Sequence, residues 1–232
     1  MALRIDYTYI ESCIFEGARV LDLGCGNGLL LDRLARQKGV TGCGIDVAEE
    51  AVRECIRRGV PVYHGDMLEG MRMFEDGAFD FVILSQTLQQ TLKPEEVVQE
   101  MLRVGRCAII SFPNFGHWRV RLKLLVSGRM PVTNLLPHQW YDTPNVHLLT
   151  IEDFHVFCRR RGLRIAESTY FAGASRRVPR GCANLVAATA AFVVTKESHS
   201  GPSEFDKEEQ SSHDVSCRAA DEVEAPELAR ES

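Results

Sequence analysis

The stretch VLDLGCGNG, residues 20 to 28, constrains this chain more than any other feature. An apolar run, interrupted by the carboxylate of Asp22, stops at three glycines in alternate positions, Gly24, Gly26 and Gly28. Glycine tolerates positive φ and has no side chain to hold a ligand away, so backbone amides in such a turn can approach a bound molecule closely. The spacing is G-x-G-x-G, whereas the dinucleotide fingerprint is G-x-G-x-x-G. A pyrophosphate at the start of the next helix would also have to tolerate Asp22 beside it, which argues against a nicotinamide cofactor.

On either side of this turn, apolar strand-like runs alternate with helical patterns. Strands are predicted at 18–24, 41–47, 61–67, 79–87 and 106–114, and helices at 28–39, 49–59 and 94–105, the last opened by Pro94 and closed by Gly105. Thr150 with Asp153 three residues on predicts a capped helix over 150–162. Residues 163–173 and 184–196 read as two closing strands, a hairpin across the Arg-rich loop 174–182. This order predicts an α/β fold: a doubly wound, mostly parallel, seven-stranded sheet with an antiparallel closing hairpin. No internal repeat is visible.

In an open parallel sheet, ligands sit beyond the C-terminal ends of strands where the strand order reverses, so the glycine turn is the default site. Two more acids fall at predicted strand ends, Asp46 in GIDV and Asp66 in HGDM. An ionised carboxylate only accepts hydrogen bonds and suits the two hydroxyls of a ribose. The alternative is that each acid caps the helix that follows.

After the fifth strand comes an excursion of nearly forty residues, too long to be idle in a compact domain, and therefore a lid, a binding surface or both. It holds both tryptophans, Trp118 and Trp140, four basic residues and the histidines His117, His138 and His147. An imidazole titrates near neutrality and suits a general base, although a hydrogen-bonded structural role is the commoner use. WRVRLKLL within it reads equally as a strand edge and as a helix ended by Gly128.

The chain carries a net charge of -5, but from Lys196 onward 11 acids stand against 4 lysines and arginines. Residues 1–195 are expected to form one domain carrying the inserted segment 115–149, and 196–232 an acidic tail too poor in apolar residues to order itself. The near-neutral body gives no reason to expect nucleic-acid binding. No apolar run approaches the roughly 20 residues of a membrane span, and no secretory leader is visible, so a cytoplasmic protein is expected. The eight cysteines are scattered without zinc-site spacing, and free thiols are expected rather than a metal.

The pattern D-x-G-x-G-x-G, followed by acids at two further strand ends, resembles the class I S-adenosylmethionine-dependent methyltransferase superfamily. That resemblance implies a Rossmann-like sheet and S-adenosylmethionine as cofactor. Asp22, Gly24, Gly26 and Gly28 would pass along its methionine part, Asp46 would hold the ribose, Asp66 and Met67 would face adenine, and Ser85 would complete the cofactor side after the fourth strand. The segment SQTLQQT lacks the Asn/Asp-Pro-Pro-Tyr motif of amino-methyltransferases, so base methylation is not expected.

Longer motifs narrow the likeness. SQTLQQT, EMLRVGRCAIISFPNFGHWRVRLKLL, GRMPVTNLLPHQWYDTPNVH and TIEDF resemble the bacterial methionine biosynthesis protein MetW family, from about Arg4 through residue 170. Asn27 stands where that family often has an acid, and the acidic tail lies outside the likeness. The family implies a partner of homoserine O-acetyltransferase in methionine synthesis, built on a methyltransferase fold. The alternative is a small-molecule methyltransferase with His117 or His147 as base.

Overall fold

The computed structural model describes residues 5–133, 136–173 and 176–196; the acidic tail from Glu197 on lies outside the described residues. Among the described residues the first element is a helix that its sequence pattern did not announce, α1 (Ile5–Cys13). Then come β1 (Arg19–Leu23), α2 (Leu29–Lys38), β2 (Thr41–Asp46), α3 (Glu49–Arg58) and β3 (Val62–His64). A five-residue helix α4 (Met67–Met71) precedes β4 (Phe79–Ser85), and a 3-10 turn at Leu88–Gln90 leads into α5 (Pro94–Val104) and β5 (Gly105–Pro113). The remaining elements are α6 (Trp118–Ser127), α7 (Ile151–Arg160), β6 (Leu163–Phe171), α8 (Arg180–Val186) and β7 (Thr189–Lys196).

The seven strands form one sheet in the order β3-β2-β1-β4-β5-β7-β6. The first five are parallel, and β7 lies antiparallel between β5 and β6. The order reverses between β1 and β4, which places the glycine turn at the mouth of the sheet as its sequence implies. The closing pair is antiparallel as expected, but Asn184–Val186, read as the start of the last strand, belong to α8.

Alternate residues along the central strands enter two cores, one on each face of the sheet. Leu21, Val82, Leu84, Ile110 and Phe192 pack with Val98 and Met101 of α5 and Phe154 of α7. Val20, Ile83, Ile109 and Val193 pack with Ile10 and Ile14 of α1 and Leu30 and Leu34 of α2. Helices on both faces explain why these strands are almost continuously apolar. The Phe154 ring packs at a tilt against Phe112 and Phe192, 5.2 and 4.7 Å centroid to centroid, and so fixes α7 on the antiparallel half.

The capping box predicted for α7 is present: Thr150 Oγ1 accepts from the Asp153 amide at 3.2 Å, and the Asp153 carboxylate accepts from the Thr150 amide at 3.0 Å. WRVRLKLL is helical, and Gly128 ends α6 in the left-handed conformation with φ +62°. Buried Asn114, just past β5, secures this region. Its Nδ2 donates to the carbonyls of Asn184 and Ala187, and its Oδ1 accepts from Gly116 and Ile151 amides. Every hydrogen-bonding site of that amide is thereby used, and α6, α7 and α8 are referenced to one residue.

Candidate functional site

Between β1 and α2 the chain passes through Gly24, Gly26 and Gly28 with φ of +65°, +55° and +71°. These left-handed values strain any residue with a Cβ. The amides of Gly24 and Cys25 donate to the carbonyl of Ile45 at 2.8 and 3.2 Å, tying the turn to the end of β2. Gly44, one residue earlier on β2, leaves room for Cys25, whose Sγ would lie 2.3 Å from a Cβ there. A Cβ on Gly24 would come within 2.9 Å of Thr87 Oγ1, whereas one on Gly26 would meet nothing within 4 Å. The turn is thus packed at its edge and open at its centre.

Asp46, the last residue of β2, joins two backbone segments. Its Oδ2 accepts from the Gly26 amide at 2.8 Å and its Oδ1 from the Ala48 amide at 2.9 Å, so it clamps the turn to the start of α3. It also lines a cleft of about 170 Å³ with Gly24, Thr87 and Gln90. Each carboxylate oxygen has a second acceptor site beyond the bond it makes within the protein. Ile45, Val47, Gly65 and Met67 complete the walls. The cleft therefore has one carboxylate, no basic side chain and an apolar side, a composition suited to a cationic ligand with a flat apolar portion rather than to a pyrophosphate.

Asp66 takes the helix-cap role. It is exposed, and its Oδ1 accepts from the amides of Leu68 and Glu69 at 2.8 and 3.3 Å, while its neighbours Gly65 and Met67 line the cleft. Asp22 is 3% exposed in β1, between Gly44 and Ile83 in register, and lies behind the turn rather than on the cleft wall. Two thiols pack beside it: Cys25 and Cys55 stand 3.8 Å apart, and the Cys55 thiol donates to the Gly26 carbonyl at 3.2 Å. Burial, then the charge of Asp22, push the Cys25 thiol far above its ordinary range. Both thiols are packing and hydrogen-bonding groups, not nucleophiles.

Ser85 is buried away from the cleft wall. Its Oγ and that of Ser111, its register partner on β5, both donate to Oδ2 of Asp6. Asp6 is 2% exposed, carried there by α1. A lone Asp in an unremarkable N-terminal run gave no sign of this; it becomes visible only when α1 crosses the ends of β4 and β5. Next to Ser85, Gln86 has φ +55°, a strained value for a residue with a side chain, and its amide donates to the Ser111 carbonyl at 2.9 Å.

The two candidate bases lie elsewhere. His117 is buried as the N-cap of α6, its Nδ1 accepting from the Arg119 amide at 3.2 Å, and it lines a larger cavity by the β6–β7 connection. Burial, then the Arg119 charge, hold it below the ordinary imidazole range. His147 is exposed on a third hollow with Pro94 and Phe157, where its amide and that of Val146 donate to the carbonyl of Gln89. Neither hollow shares a lining residue with the cleft beside Asp46. Among the described residues no cluster of His, Cys, Asp or Glu is placed to hold a metal ion, and no helix is long and apolar enough to cross a membrane.

A parallel sheet reversing between β1 and β4, a glycine turn clamped by a strand-end acid, and an antiparallel β7 inserted before β6 define the class I S-adenosylmethionine-dependent methyltransferase fold. A SAM-dependent methyltransferase from Archaeoglobus fulgidus shares that fold at a TM-score of 0.58 and 16% identity, over 82% of this chain and 94% of that one. So does a chain of the complex between the Haloferax volcanii Trm112 methyltransferase activator and the putative methyltransferase, at a TM-score of 0.61 and 16% identity, over 84% and 90%.

The family is narrower than the fold. The model of the methionine biosynthesis protein MetW matches residues 4–194, and the chain belongs to that family, which associates it with methionine biosynthesis. It is 36% identical over 180 residues to the bifunctional methionine biosynthesis protein MetXA/MetW of Rhodopirellula baltica, a match that covers 74% of this chain and 29% of that protein. It is also 35% identical over 160 residues to a ubiquinone biosynthesis O-methyltransferase of Paracidovorax citrulli, covering 66% of each.

Proposed function

We propose that this chain binds S-adenosylmethionine in the cleft beside Asp46 and acts as a partner that supports homoserine O-acetyltransferase through its 115–149 segment. The observation that carries the partner reading is the distribution of exposed apolar side chains. Ten of the sixteen large ones among the described residues fall between Trp118 and Leu148. Leu125 and Val126 on α6 are 82% and 78% exposed, and Trp140 and Tyr141 form an edge-to-face pair at 5.6 Å with both rings largely in solvent. Apolar surface concentrated in this way marks an interaction site, and Trp and Tyr are favoured anchors at interface centres.

The fused relative supports the same reading. Its name joins MetXA to MetW, and this chain accounts for 29% of its length. We take the MetXA unit to be the acyltransferase. Covalent linkage keeps two units at high effective concentration, a gain that matters only if they work together.

The cleft fits the cofactor on chemistry. Gly26 offers an approach free of side chains, Asp46 retains acceptor capacity for ribose hydroxyls, Ile45, Val47 and Met67 offer apolar contact to a purine, and the absence of a basic wall suits a sulfonium. The cofactor would supply an electrophilic methyl group; the chain's own residues would bind and orient it.

The test is the acyltransferase rate measured with and without this protein, together with co-elution of the two. A raised rate is expected, abolished by Leu125→Asp or Trp140→Ser while S-adenosylmethionine binding is kept. An unchanged rate without co-elution would refute the partnership. The similarity to O-methyltransferases favours a second reading, methyl transfer to a small molecule, in which labelled cofactor would pass label to an acceptor in cell extract.

A further inference from the structure

We infer that the cavity between the start of α6 and the β6–β7 connection is a binding site for a small organic oxyanion, a carboxylate or a phosphate monoester with an apolar body. It measures about 830 Å³, within the range of small-molecule sites, and Arg119, Arg176 and Arg177 line it without a single carboxylate. Among the described residues none of these three guanidiniums has an ion-pair partner, whereas Arg19, Arg33, Arg36 and Arg103 each reach an acid within 3.3 Å. Three like charges facing one hollow repel each other, and an anion there relieves the repulsion.

The backbone that carries the arginines is pinned. The Ala172 amide donates to the carbonyl of Arg176 at 2.8 Å, Arg177 bridges to Phe171, and the Val178 amide donates to the Tyr170 carbonyl at 3.0 Å. Residues 176–178 therefore fold back on the end of β6 and carry the two arginines on a fixed base. On the other wall, the Arg119 guanidinium carbon lies 5.3 Å from the centroid of the Trp118 ring. The Arg119 amide on Nδ1 of His117 leaves the ring proton on Nε2, a neutral donor in a wall of cations. Val186 and Ala188 supply the apolar floor.

Forked guanidiniums match the planar oxygens of carboxylates and phosphates, and Val178, Pro179 and Val186 in the lining offer contact to an apolar body. The cavity lies at the same edge of the sheet as the cofactor cleft, since β6 ends and β7 begins where β5 ends, yet the two share no lining residue. The inference does not rest on the acyltransferase partnership.

The test uses the full chain carrying Trp140→Phe, so that Trp118 is the sole indole, titrated with phenyl phosphate, benzoate, inorganic phosphate and neutral benzyl alcohol. Calorimetry measures binding and Trp118 fluorescence reports its place. Saturable binding of phenyl phosphate or benzoate with a fluorescence change is expected, the stronger of the two telling phosphate from carboxylate chemistry, with inorganic phosphate weaker and benzyl alcohol without effect. R176Q/R177Q and, separately, R119Q should each weaken binding about tenfold or more while S-adenosylmethionine affinity stays the same. Binding of benzyl alcohol as tight as that of the anions, affinities unchanged by both sets of substitutions, or no saturable binding of any anion at millimolar concentration would each overturn the inference. Acyltransferase stimulation is measured apart, so failure of one reading leaves the other standing.

Discussion

The amide of Gly26 donates to the carboxylate of Asp46 at 2.8 Å, and this one bond joins the glycine turn after β1 to the acid that ends β2. Asp46→Ala removes it together with the bond to the Ala48 amide. A loss of about 1–3 kcal/mol of stability is expected in thermal or denaturant unfolding. S-adenosylmethionine affinity should fall about tenfold or more by calorimetry, because the turn and its acceptor are lost together.

Gly24→Ala meets two obstacles, a left-handed φ of +65° and a Cβ placed 2.9 Å from Thr87 Oγ1. The variant should be destabilised by about 2 kcal/mol or more. Thr87→Ala removes the colliding atom, so the double variant should recover part of the loss and keep the backbone strain. A double-mutant cycle in urea measures the coupling, and strict additivity would contradict the contact.

Asp6→Ala leaves the hydroxyls of Ser85 and Ser111 without the buried carboxylate they both address. A cost of about 3 kcal/mol is expected. Since α1 is held at the sheet edge by this acid, hydrogen exchange in Ile5–Cys13 should quicken more than in α5.

Burial works against ionisation of Asp80, but the backbone amide and guanidinium of Arg19, with Arg106 beyond, hold its carboxyl below the ordinary range. A folded-state value below the unfolded one stabilises the protein fully above the ordinary carboxylate range near pH ~4 and is lost as pH falls through the lowered value. Asp80→Asn should therefore lower Tm at neutral pH, with the difference closing in strong acid. A Tm gap that does not narrow as pH falls would contradict the linkage.

Burial pushes the Cys158 thiol up to about 12 and raises those of Cys25 and Cys55 as well, whereas Cys182 is exposed. Iodoacetamide at neutral pH should label Cys182 in the native protein and reach Cys25, Cys55 and Cys158 only on unfolding. Peptide mapping by mass spectrometry checks this.

Much of the fold was legible because strand and helix periods in this chain are unmixed. β1, β2, β4 and β5 lie within a few residues of their predicted bounds, and the capping box of α7 is where Thr150 and Asp153 place it. Short elements escaped: α1 and α4 are nine and five residues long, too brief for a periodic signal to stand out. The stretch from Trp118 stayed ambiguous because Arg119, Arg121 and Lys123 alternate with apolar residues, a strand-like pattern that a mostly exposed helix can carry without penalty.

What the residues themselves determined was local: which turn must adopt left-handed backbone, which runs alternate between two faces, and that an acid, Asp46, closes β2, whereas β3 ends at His64, before Asp66. Those follow from steric and hydration rules that act over a few residues. The tertiary structure decided which acids meet the turn. Asp46 reaches it because β2 lies beside β1, Asp66 caps α4 instead, and Asp6 reaches Ser85 and Ser111 across 79 and 105 residues of chain. Such contacts have no local signature. Chain entropy opposes them, and only the two shared cores hold the distant segments close enough for a carboxylate to find its donors.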